Sequence, residues 1–193
     1  MPSNRSNQKM LRGSRPRFLA GGFALFVLVF AGTAQAETTR IVAIGASNTS
    51  GQAVGAGNAW PALLERMLKA KGYDVTVVNA GVTAETSART LSRVDSVVTP
   101  GTKIVIYDVG GGNDADTGAS GGTAANTAQI AQRIRARGAV AINASKKSIV
   151  GTEKSNPSAW IAGDPHHHIT AQSQARLAAS LVPKVTAAIG KPK

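Results

Sequence analysis

Residues 40–49 read RIVAIGASNT, a short apolar run that ends in glycine and is followed closely by a serine. Such a run is typical of a buried strand in a parallel sheet. Strand-like runs recur at 74–79 (DVTVVN), 103–109 (KIVIYDV) and 139–144 (AVAINA). Segments with helical character separate or follow them, at 60–71, 84–94, 123–137 and 170–189. This alternation predicts an α/β fold with a parallel sheet and helices on both faces.

The first 36 residues have the features of a signal peptide. Five basic residues and no acidic residue precede or flank an apolar stretch from Phe18 to Ala31, and Ala34-Gln35-Ala36 supplies a cleavage pattern. The stretch is shorter than the roughly 20 apolar residues of a membrane-spanning helix. We therefore expect cleavage after Ala36, a mature domain of residues 37–193, and a periplasmic or secreted protein. The alternative is an uncleaved N-terminal anchor.

Composition narrows the classes of function. The chain has no cysteine, which excludes a thiolate nucleophile, a cysteine zinc site and a disulfide framework. Its formal charge is +12, but five of the 22 basic residues lie in residues 1–36, so the remainder carries 17 basic and 10 acidic residues, or +7. These basic residues are scattered without interleaved aromatics, so we expect no nucleic-acid binding.

Small and polar residues follow three of the predicted strands. Ser47 follows the first, Gly81 the second and Asn113 the third, within GGND. The carboxyl ends of parallel strands meet at one edge of a sheet, where ligands bind. A serine there suits a nucleophile, a glycine amide approaches a ligand closely, and a side-chain amide donates to an oxyanion. Taken singly, these residues are also typical of a helix cap and of ordinary turns.

Just before the last predicted helix the sequence reads Asp164-Pro165-His166-His167-His168. A carboxylate so close to an imidazole orients the ring and stabilises its charged form, while the other ring nitrogen takes a proton from serine. A metal site is the alternative. It is disfavoured because adjacent histidines on one short loop do not easily converge on a single ion.

The four segments GASNT (45–49), NAG (79–81), GGND (111–114) and DPHHHITA (164–171) together resemble the SGNH hydrolases, also called the GDSL lipase/esterase family. The resemblance implies a three-layer, flavodoxin-like α/β/α domain and hydrolysis of acyl esters of small molecules, lipids or sugars, as in esterases and lysophospholipases. It implies that Ser47 is the nucleophile and Asp164 the triad acid. The Ser47 and Gly81 amides and the Asn113 side chain would form the oxyanion hole. The family uses no metal or organic cofactor.

Two departures from the family pattern affect the site. Ala46 stands where the family has an acidic residue that is not the triad acid. The usual Asp-x-x-His spacing selects His167 as the base, whereas the distance to the capping Thr170 selects His168, which we favour. Two other functions stay open: a catalytically degenerate member that binds envelope glycans or lipids, and an unrelated flavodoxin-like module for an anionic ligand. Trp160 is expected to pack beneath the site loop, and an open pocket is expected.

Overall fold

The computed structural model describes residues 37–192 of the chain. Its sheet has four parallel strands in the order β2-β1-β3-β4. The strands are β1 (Thr39–Gly45), β2 (Val75–Gly81), β3 (Thr102–Asp108) and β4 (Val140–Asn143). Gly45 pairs with Gly81 on one side and with Asp108 on the other. The first three strands therefore end at the same level, and the residues that follow them share one edge of the sheet.

Between residues 37 and 192, seven α-helices accompany the strands: α1 (Ser47–Ser50), α2 (Trp60–Ala70), α3 (Ser87–Val97), α4 (Gly112–Asp116), α5 (Thr123–Ala136), α6 (Lys146–Val150) and α7 (Ala171–Ile189). Short 3₁₀ turns lie at Ala56–Asn58, Ser120–Gly122 and Pro157–Ala159. Helices α2 and α7 pack together over one face of the sheet, and α3 and α5 over the other. The predicted three-layer α/β/α architecture with a parallel sheet is confirmed.

The alternation of side chains along β1 explains the two layers. Ile41 and Ala43 belong to the apolar cluster beneath α2 and α7, whereas Val42 and Ile44 belong to the cluster beneath α3 and α5. All four are fully buried. Because successive residues of a strand point to opposite faces, a strand covered on both faces must be apolar at every position.

One predicted helix begins later than expected. The sequence indicated a helix from residue 84, but α3 starts at Ser87. Ala84 has a φ of +56°, in the left-handed region that an α-helix excludes, and Thr86 caps the helix by accepting a bond from the Arg89 N–H. At the other end of the chain, Thr170 caps α7 as predicted.

The predicted signal peptide, residues 1–36, lies outside the described residues. Within residues 37–192, no helix is both long enough and apolar enough to cross a membrane.

Candidate active site

A cavity of about 250 Å³ lies at the carboxyl edge of the sheet, beyond β1 and β3. The residues after β1 contribute Ser47 to its wall, and α4 contributes Asn113. The connection between β4 and α7 contributes Lys146, Glu153 and His167. The topology therefore brings loops distant in sequence around one space, as the strand ends predicted.

Ser47 is the first residue of α1, immediately after the end of β1. Its side chain is nearly buried, and it lines the cavity. Gly45 allows this turn, because a Cβ at that position would lie 2.8 Å from the Asp108 carbonyl oxygen of the neighbouring strand. Helix α1 has only four residues, so few peptide dipoles add along it.

Asp164 and His168 form a hydrogen-bonded pair. Nδ1 of His168 lies 2.5 Å from Oδ2 of Asp164, and the His168 backbone N–H donates to the same oxygen at 2.9 Å. The His166 N–H donates to the other carboxylate oxygen at 3.0 Å. Burial raises the pKa of Asp164, but these N–H donors outweigh it and hold the pKa below its ordinary value. The carboxylate is thus ionised at neutral pH and fixes the His168 ring.

The other nitrogen of His168, Nε2, is buried and has no hydrogen-bond partner within residues 37–192. A buried polar atom without a hydrogen-bond partner destabilises the fold, unless a polar group comes close enough to bond to it part of the time. The sequence alternative, His167, is placed differently. Its ring is exposed, its backbone φ is +53°, and its Nδ1 lies 2.6 Å from Oε2 of Glu153.

Asn48 connects the loop of Ser47 to the loop of His168. Its side-chain oxygen accepts from the Ile169 N–H at 2.9 Å, and its backbone oxygen accepts from Nε2 of Gln174 at 3.0 Å. Oε1 of Gln174 in turn accepts from the Trp60 N–H at 2.9 Å. The residues that follow Ser47 and His168 are therefore bonded to each other and to helix α7.

Asn113 lies in α4 at the cavity wall. Its Nδ2 donates one hydrogen bond, to the Glu85 carbonyl oxygen at 2.8 Å. An amide nitrogen carries two hydrogens, so one donor remains for a ligand. Glu85 is itself buried and forms an ion pair with Arg93, whose Nη2 lies 2.6 Å from Oε2. This pair holds the carbonyl that orients Asn113.

Asp114 fixes α4 against two longer helices. It is almost fully buried and accepts from the Ser87 N–H at the start of α3, at 2.7 Å, and from the Thr123 hydroxyl at the start of α5. Burial raises its pKa, but the bonds from Ser87 and Thr123 prevail, and the pKa lies below the ordinary value of 3.8. The helix that carries Asn113 is therefore held from both sides.

Gly81 is the last residue of β2. Like Asp164 and His168, it is not among the described residues that line the cavity, and its N–H donates to Oδ1 of Asn79 at 3.0 Å. A Cβ at Gly81 would meet the backbone of Thr49 at 2.7 Å, so close packing against α1 explains the glycine. In this conformation its amide hydrogen is accepted by Asn79.

Sequence reasoning missed several charged residues of the cavity, among them Asp108 and Lys146. Asp108 ends β3, and its polar side chain near the end of an otherwise apolar predicted strand was the available signal. Lys146 begins α6, and no pattern in the sequence distinguishes it from other lysines. Trp160 packs in the core as expected and also lines the cavity.

The chain was compared with known families and structures. Residues 43–187 match the model of the GDSL-like lipase/acylhydrolase family. A curated relative, esterase TesA of Pseudomonas aeruginosa, is 33% identical over 126 residues, 65% of this chain and 61% of that protein. The alignment thus spans about three fifths of the length of that relative.

Solved structures share the fold. A crystal structure of TesA superposes with a TM-score of 0.62 at 23% identity, covering 78% of this chain and 99% of that one. AlinE4, described as an SGNH-hydrolase family esterase, superposes at 0.52 with 29% identity, over 56% of this chain and 59% of that one. The matched region covers three quarters of the chain, from the middle of β1 to the end of α7. The chain therefore belongs to the GDSL-like lipase/acylhydrolase family.

Proposed function

We propose that this protein hydrolyses carboxylic esters, with Ser47 as nucleophile, His168 as general base and Asp164 as the acid that orients the base. The observation that carries this proposal is the hydrogen bond between Asp164 and His168. Nε2 of His168 is buried and has no partner among residues 37–192. The next residue, Ile169, is bonded to Asn48, which directly follows Ser47. Family membership and the esterase named among its relatives support the reaction class.

In the proposed mechanism, Nε2 of His168 takes the proton from the Ser47 hydroxyl, and the serine oxygen attacks the ester carbonyl. The resulting oxyanion accepts from the free N–H of the Asn113 side chain and from the Ser47 amide. His168 then gives its proton to the departing alcohol, which leaves an acyl-enzyme. Water, deprotonated by the same histidine, releases the acid and regenerates Ser47.

Gly81 is left out of this oxyanion site because Asn79 accepts its amide hydrogen. His167 is left out of the proton transfer because its ring is bonded to Glu153 rather than to Asp164. The alternative selected by the spacing Asp-x-x-His is therefore not part of the proposal. No step requires a metal or an organic cofactor.

We further propose that residues 1–36 direct export and are removed after Ala36, which places the enzyme in the periplasm or outside the cell. Edman sequencing of the protein purified from the envelope or medium tests this. A mature N-terminus at Glu37 is expected, and an intact N-terminus in the membrane fraction would indicate an anchor instead.

The catalytic proposal is tested by hydrolysis of a short-chain p-nitrophenyl ester series and by labelling with a fluorophosphonate. We expect turnover and labelling in the wild type, and loss of both by orders of magnitude in Ser47→Ala. Ser96→Ala, an exposed serine on α3, is the matched control. A folded wild type that neither turns over any ester nor reacts with the probe would support the glycan- or lipid-binding alternative.

A further inference from the structure

Lys146 is a largely buried residue whose ammonium group lies at the cavity wall. The residue is 9% exposed and lines the cavity near Gly110. Its nearest carboxylate oxygen, Oδ2 of Asp108, lies 3.7 Å from Nζ, which is beyond hydrogen-bonding distance. Within the described part of the chain, Nζ makes no hydrogen bond. An ammonium has three N–H donors, and in the cavity wall those of Lys146 are available to a ligand.

Asp108 likewise lacks hydrogen-bond donors to its carboxylate. It is 6% exposed, it lines the same cavity, and its carboxylate oxygens accept no hydrogen bond from any residue between 37 and 192. The cavity thus contains an ammonium and a carboxylate side by side, each with hydrogen-bonding capacity left over. Trp160 completes the group, with its ring centroid 5.8 Å from Nζ of Lys146.

The spacing of the two charges distinguishes this pair from a purely structural ion pair. A buried ion pair is stabilising only when its geometry is good and its remaining donors and acceptors are satisfied. At 3.7 Å, the Lys146–Asp108 pair satisfies neither condition. The pair therefore keeps N–H donors and carboxylate acceptors free for a molecule in the cavity that accepts from the ammonium and donates to the carboxylate.

A hydroxyl group meets both requirements, because it donates one hydrogen bond and accepts others. An anion does not, since Asp108 beside Lys146 would repel it, and the five carboxylates in the lining outnumber its two lysines. An alkyl chain does not, since it would leave both buried charges without partners. A ring of a sugar or the carbon skeleton of a polyol would also find an apolar surface in Trp160.

We propose that Asp108, Lys146 and Trp160 form a subsite for a hydroxyl-bearing part of the ester, as in an acylated polyol or sugar. This inference rests on the proposed ester hydrolysis and names its substrate class. The hydroxyl groups belong either to the alcohol or to the acyl part, and the experiment separates the two.

The test compares three esters by pH-stat: ethyl acetate, glycerol monoacetate and ethyl glycerate. The second carries hydroxyls on the alcohol and the third on the acyl part. The variants are Lys146→Met, Asp108→Asn and, as a control, Lys154→Met, an exposed lysine in the same connection that does not appear in the cavity wall. Circular dichroism melting establishes that each variant is folded.

We expect the wild type to prefer at least one hydroxylated ester over ethyl acetate by about tenfold in kcat/KM. Lys146→Met and Asp108→Asn should each reduce that preference about tenfold, mainly through KM, because a charged hydrogen bond to the hydroxyl is lost. Lys154→Met should retain it. The ester that loses its advantage identifies the part of the substrate in the subsite.

Equal loss on all three esters in both variants would show a structural pair and overturn the subsite. So would a wild type that prefers ethyl acetate, a result that needs no folded variant. Failure of the ester-hydrolase proposal is distinguishable, because it appears as absence of turnover on every ester together with absence of fluorophosphonate labelling at Ser47.

Discussion

The side-chain oxygen of Asn48 accepts a hydrogen bond from the backbone N–H of Ile169 at 2.9 Å, across 121 residues of sequence. Each of these residues directly follows a proposed catalytic residue, Ser47 in one case and His168 in the other. The bond is buried. The relative position of nucleophile and base is therefore set by a contact that neither of them makes.

Asn48→Ala should reduce kcat by tenfold or more on a p-nitrophenyl ester, because small displacements of reacting groups are expensive in rate. It should also lower the free energy of unfolding by about 2 kcal/mol, since the Ile169 N–H is left buried and unpaired. Urea denaturation and steady-state kinetics measure the two effects. Asn58→Ala, whose side chain bonds only locally and is exposed, is the control. An unchanged kcat in Asn48→Ala would show that this bond does not position the site.

Replacing His168 and replacing His167 should affect kcat very differently. His168→Ala should lower kcat by at least about a thousandfold, because the proposed base and its bond to Asp164 are both removed. His167→Ala should cost far less, since only the exposed contact to Glu153 disappears. Steady-state kinetics of the two purified variants measures both effects and shows which histidine is the base. The reverse order of effects would return the assignment to the Asp-x-x-His spacing.

Asn113→Ala should lower kcat by roughly a hundredfold to a thousandfold with little change in KM, as expected for loss of one oxyanion donor. The comparison is with Asn126→Ala, which removes a side-chain amide that bonds to Ser87 and does not line the cavity. Wild-type kcat in Asn113→Ala would remove Asn113 from the oxyanion site.

Asp114 makes stability depend on pH in a defined direction. Its pKa in the folded chain lies below the ordinary value of 3.8, so its ionised form stabilises the fold above about pH 4. That contribution is lost as the pH falls through the folded-state pKa. Asp114→Asn should lower the free energy of unfolding at pH 7 by about 2 kcal/mol and flatten the loss between pH 7 and pH 3.

Urea denaturation at both pH values tests this effect. Asp116→Asn, an exposed carboxylate on the same helix, should keep the wild-type slope. A variant at position 114 that retains the full acid sensitivity would contradict the prediction.

Much of the fold was predictable because its signals are local. The runs 40–45 and 103–109 are mostly apolar, which is typical of a strand covered on both faces. Thr170 was recognisable as a cap from its own position before α7. The start of α3 was not predictable. Ala84 adopts a left-handed conformation that the turn imposes, and the identity of the residue as alanine does not indicate it.

The sequence alone determined the order of strands and helices that gives the α/β/α layers. It also determined that Ser47 and Asn113 follow strands, and that Asp164 is close in sequence to three histidines. Tertiary structure decided which histidine meets Asp164, that Asn79 occupies the Gly81 amide, and that Lys146 lies beside Asp108. The reason is physical. Hydrophobic periodicity is a property of neighbouring residues, whereas hydrogen-bond partners depend on how the loops after separate strands are packed at one edge of the sheet.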